Sequence, residues 1–151
     1  MCLDRKPTRD QIIRDFKKKI EVEKGSYVGY KIFQKYRKTL YSPMYDGGSY
    51  ELNEWITDDN KERLGYSQTD GRYKCGFHVY IDEKEGKRML RRYKELNNSG
   101  SSGRYTLRKI FFNKILAYGY ETNLLYSSAH KLFDTKVITT REMFIPKRRK
   151  Y

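Results

Sequence analysis

Cysteine is almost missing from this chain: Cys2 and Cys75 are the only two, and Cys2 falls in the N-terminal stretch before the first helix. A structural disulfide is therefore not expected, and both thiols read as free in a reducing compartment. Histidine is as scarce. Two His and two Cys offer none of the paired spacings that hold zinc, and no acidic run matches a calcium loop, so no metal site is expected. No phosphate-cradling glycine loop, dinucleotide fingerprint or nucleophile elbow occurs, so no cofactor is expected either. His130 near Ser127 and Ser128 reads as ordinary polar surface. There is no apolar run of membrane-spanning length and no basic-then-apolar leader. The expectation is a soluble protein of the cytoplasm with no membrane partner.

What the chain does have is positive charge and tyrosine. Its 33 Lys+Arg against 19 Asp+Glu leave +14, with 15 Tyr and 7 Phe among 151 residues. Tyrosine packs its ring and leaves its hydroxyl wet, a composition suited to half-buried sheet. The length suffices for one domain with a core that needs no staples. The charge is uneven. Residues 1–38 carry 12 basic and 5 acidic side chains, residues 39–72 carry 3 and 7, and residues 73–151 carry 18 and 7. Two basic regions around an acidic middle favour a polyanionic partner.

In chain order, Thr8 and Gln11 form a capping box for a helix whose apolar stripe is Ile12, Ile13, Phe16 and Ile20, with Lys17, Lys18 and Lys19 at its dipole-favoured end. Gly25 is expected to end this element. Tyr27 to Phe33 reads as a strand, continued by Gln34 to Lys38 as a charged edge or turn. Ser42 to Gly48 is a turn cluster. Trp55, in a short strand or turn, is expected to anchor the core. Thr57 to Arg72 reads as a long polar surface loop.

Residues 73–81 form the clearest strand, with Phe77, Val79 and Ile81 on one face and His78 and Tyr80 on the other. Asp82 caps a helix with Glu83 and Glu85 in its first turn and Met89, Leu90, Tyr93 and Leu96 as its buried stripe. Residues 97–103 read as a flexible loop. Arg104 to Tyr120 is the longest strand, ended by Gly119, with a break or bulge near Asn113 where the apolar face changes. Thr135 to Ile145 alternates as a last strand. Pro146 stops it, and residues 146–151, like residues 1–7, read as tails. The fold expected is a single α+β domain, a mainly antiparallel sheet of five to seven strands with two helices.

Four blocks carry a resemblance: Gly29-Tyr30-Lys31-x-Phe33, Cys75 to Tyr80, Ile115 to Gly119, and Thr140 to Ile145. Together they resemble small uncharacterised proteins of phages and other viruses, which implies a viral accessory protein without implying an activity. The strand-then-helix around Tyr80 also resembles ADP-ribosyltransferase-like folds. That resemblance implies Tyr80 as a ring facing nicotinamide and Glu142 as the carboxylate near the ribose. The first strand departs from it, offering Tyr30-Lys31 where such enzymes place His or Arg beside a small step.

Catalysis is therefore not the leading expectation. The chain is expected to bind nucleic acid or a nucleoprotein complex through Lys17, Lys18, Lys19, Lys35, Arg37, Lys38, Arg88, Arg91, Arg92, Lys147, Arg148 and Arg149. A host or viral protein partner is the alternative, as in a minor virion component. In a viral setting the location is the host-cell cytoplasm or the virion.

Overall fold

A computed structural model describes residues 10–42, 49–58, 64–67, 71–74, 76–96, 104–122 and 134–148. The chain order is α1 (Asp10–Lys19), β1 (Glu21–Glu23), β2 (Ser26–Tyr36), β3 (Thr39–Tyr41), β4 (Ser49–Tyr50), β5 (Trp55–Thr57), β6 (Leu64–Ser67), β7 (Gly71–Lys74), β8 (Phe77–Tyr80), α2 (Glu83–Leu96), β9 (Arg104–Thr122) and β10 (Asp134–Phe144). The α+β class and antiparallel pairing are as expected, but among the described residues the main sheet has eight strands, and β6–β7 is a separate hairpin.

The strand count was underestimated for a physical reason. β1, β6 and β7 are three or four residues long, too short for an apolar alternation to stand out. The helix stops at Lys19, and Gly25 serves the β1–β2 hairpin instead. Lys24 and Gly25 have φ of 52° and 79°, the paired positive values of a two-residue turn. Thr8, the expected cap, lies outside the described residues, as do Cys2, Cys75, His130, residues 97–103 and Arg149.

The pairings form a closed ring. β2 pairs β8, β8 pairs β10, β10 pairs β9, and β9 returns to β2. The 19-residue β9 makes this closure, giving Arg104–Phe112 to β2 along one edge and Phe111–Thr122 to β10 along the other. A bulge lets it bend: Thr139 faces Ala117 while Thr140 faces Ile115, and Lys114 takes a φ of 59°. Gly119 does not end the strand but pairs with Val137. The weakest seam is β2–β8, held by the pair Tyr30–Tyr80 and by Lys31, whose Nζ donates to the His78 carbonyl at 3.0 Å.

Strand alternation then builds two cores. Phe33, Val79, Ile81, Ile110, Phe112, Ile138 and Met143 fill one face with Phe16 and Ile20 of α1, and Phe16 meets Tyr118 and Tyr120 edge-on. Tyr30, Ile32, Tyr80 and Val137 point the other way and receive Met89 and Tyr93 of α2. Asp82 caps α2 as expected, its Oδ1 accepting from the Lys84 N–H at 2.8 Å.

Burial of tyrosine has a pH consequence. Desolvation raises the pKa of Tyr30, Tyr50 and Tyr118 above their ordinary value of 10.0. The folded chain therefore holds these protons more tightly than the unfolded chain. Their contribution is complete below about pH 10 and is lost as pH rises through the elevated folded values. Urea midpoints are expected to be lower near pH 11 than near pH 8, in step with phenolate absorbance. A flat profile across that interval would contradict this.

Candidate nucleic-acid interface

β10 ends at Phe144, opposite Phe111, so the edge of β9 before that point has no β10 partner. The chain continues alongside as residues 145–148, of which 146–148 were expected to begin a tail. Instead they are tied down. Arg108 Nη2 donates to the Pro146 carbonyl at 2.6 Å, and Arg148 Nη2 to the Leu107 carbonyl at 3.4 Å. The Asn53 N–H donates to the Ile145 carbonyl at 2.8 Å, and its Oδ1 accepts from the Lys147 N–H at 2.9 Å.

This segment forms one wall of a groove of about 690 Å³. Its floor is Tyr105–Lys109 of β9 with Tyr30 beneath. The other wall is a stripe of α2, Glu83, Lys87, Leu90 and Lys94, at the four- and three-residue spacing of one helix face. Among the described residues, Lys87, Lys94, Arg108, Lys109, Lys147 and Arg148 all line it, against the single carboxylate of Glu83.

Two of the six cations are paired, Lys87 with Glu83 at 3.4 Å and Lys109 with Glu23 at 2.7 Å. Among the described residues no carboxylate lies within ion-pair distance of Lys94, Arg108, Lys147 or Arg148. Arg108 is only 9% exposed. Burial, and then the charge of neighbouring Arg148, pulls its pKa below the usual arginine range. Crowded cations, of which Arg108 and Arg148 donate to carbonyls, form a site that an anion would relieve. After burial, the charges of Glu21, Glu83, Asp82 and Glu23 hold the Tyr30 pKa up, so carboxylates as well as cations stand near that residue.

The cations expected from sequence fall in several places. Lys147 and Arg148 line the groove. Arg91 is exposed on α2, whereas Arg88 and Arg92 stand on the helix flank of Glu85, whose carboxylate also meets Lys136 of β10 at 3.8 Å. Arg92 lies 3.3 Å from Glu95. Lys17, Lys18 and Lys19 are exposed on α1, which packs on the opposite core from α2, so the two helices' cations do not share a surface. Lys35, Arg37 and Lys38 crowd the β2–β3 turn, where Lys35 faces Arg104 across the ladder, one residue before the groove floor. Like charges directly opposed favour an anion there as well. Lys87, Lys94, Arg108 and Lys109, which also line the groove, were missed. The local sign of Arg108-Lys109 is a pair of cations directly before the apolar run Ile110-Phe111-Phe112 of β9.

Tyr80 and Glu142 are not brought together. Tyr80 is 3% exposed within the α2-side core, where its ring has no free face for a nicotinamide. It pairs with Val137, and Glu142 lies five residues further along β10, about 16 Å at a strand's rise per residue. Glu142 accepts from Lys114 Nζ at 2.9 Å. The purified protein is expected to leave NAD intact, and Glu142→Gln to stay folded. NAD consumption that disappears in this variant would contradict that expectation.

Trp55, expected in the core, is 46% exposed on the edge strand β5, against Phe144. A three-residue edge strand covers one side of the ring and leaves the other open. Among the described residues no helix is long and apolar enough to cross a membrane, and no group of three metal-ligating side chains forms. No family model, curated protein or solved structure matches the chain.

Proposed function

We propose that the protein binds nucleic acid, alone or within a nucleoprotein complex, through the groove between α2, β9 and residues 146–148. The observation that carries this reading is the set Lys94, Arg108, Lys147 and Arg148, four cations on one groove with no carboxylate pairing them among the described residues. Arginine can meet phosphate with two parallel hydrogen bonds and lysine meets it as a point charge, so the recognition is of backbone rather than base sequence. The Lys35, Arg37 and Lys38 cluster extends the positive field past the groove's Tyr105 end.

The resemblance to phage and viral accessory proteins supports a setting in the host cytoplasm, where such a binder could occupy a nucleoprotein of a host defence system. The test is what accompanies the protein when it is purified at low salt. Nuclease-sensitive material absorbing near 260 nm, released by high salt, is expected. Recovery with a stoichiometric protein assembly and no nucleic acid would instead favour a structural, virion-associated role.

A further inference from the structure

The chain's only tryptophan begins a row of aromatic rings. Phe144 lies directly opposite Trp55 on β5 and directly opposite Phe111 on β9, so the register puts all three side chains on one face. Ring centroids are 5.7 Å apart from Trp55 to Phe144 and 6.2 Å apart from Phe144 to Phe111. Trp55 is exposed, and the two phenylalanines are half-buried. Lys109, two residues before Phe111 on the same face, holds its Nζ 5.8 Å from that ring's centre and also lines the cationic groove. At the other ring, Phe144 leads within two residues into the groove wall at Pro146. Platform and groove are therefore continuous.

We propose that Trp55, Phe144 and Phe111 form a base-stacking platform for single-stranded nucleic acid, whose phosphates enter the adjoining groove. This rests on the polyanion-binding reading of that groove. Adjoining aromatic rings and cations suit a strand whose bases are unpaired, because a duplex buries the base faces in its own stack. Stacking also tolerates any sequence, in keeping with backbone recognition. Two carboxylates border the row, and each is held by lysine: Glu23 by Lys109 at 2.7 Å and Glu142 by Lys114 at 2.9 Å. A phosphate chain would compete for these lysines rather than meet bare negative charge.

Trp55 reports on its own contact. The full chain is titrated with an oligothymidylate single strand and with a duplex of equal length, following tryptophan emission and, separately, the anisotropy of a labelled strand. The single strand is expected to quench the emission and to bind more tightly than the duplex. Trp55→Ala is expected to weaken single-strand binding roughly 5- to 150-fold while leaving duplex affinity unchanged, and Trp55→Phe to restore most of the loss. Absence of quenching in the native protein, with binding still weakened by Lys147→Gln and Arg148→Gln, would overturn the platform and leave the groove reading standing. No binding of either nucleic acid at low salt would overturn both.

Discussion

Replacing Lys94, Lys147 and Arg148 together with glutamine is expected to weaken nucleic-acid binding up to about a thousandfold at low salt, at roughly 1.5 kcal/mol for each lost charge-assisted contact. These three line the groove from its two walls, and among the described residues none is spent on a carboxylate. The loss should be the same for unrelated sequences, and the log-affinity against log-salt plot should become shallower by about two to three units. The matching helix variant, Arg88→Gln with Arg91→Gln and Arg92→Gln, is expected to do less. Arg88 and Arg92 already lie near Glu85 and Glu95, on the flank away from the groove. Equal losses in the two variants would mean that binding follows total charge and that the groove has no special place in it.

The second large effect is on the fold. At Gly29 a Cβ would run into Val79 Cγ1, and would come within 3.0 Å of both the Phe112 ring and the Tyr80 carbonyl. All three neighbours belong to the ring of strands, and the Tyr80 carbonyl is backbone at the narrow β2–β8 seam. Nothing there can yield without opening the seam. Gly29→Ala is expected to cost roughly 3 kcal/mol, at the upper end for overpacking, with a fall in Tm on the order of 10 °C. Gly25→Ala makes the comparison informative. Its position is open, with nothing within 4 Å, but its φ is +79°. Only conformational strain is added there, and about 1 kcal/mol should be lost. Equal losses at the two glycines would contradict a steric seam at Gly29.

Local chemistry was legible in the sequence, and distant assembly was not. The bulge near Asn113 could be foreseen because apolar residues appear on both faces in succession, and the register does break in that region. Asp82 as a cap, and Met89 and Tyr93 as the inner stripe of α2, followed from spacing alone. Trp55 was misread because a large aromatic residue usually lies inside, and only its place on a three-residue edge strand leaves it exposed. The groove was illegible for a different reason. Its cations come from α2, from mid-β9 and from the segment after Pro146, and they meet because β10 ends opposite Phe111 while β9 runs on beside β2. Register between strands far apart in sequence decides this, and composition does not report it.

The central claim is that phosphate charge is met by groove cations, and the salt dependence of the native protein's affinity measures this most directly. With two unrelated oligonucleotides of equal length, log affinity should fall linearly with log salt, at the same slope for both and with at least about three phosphates neutralised. A slope near zero, or binding to one sequence and not the other, would contradict the account.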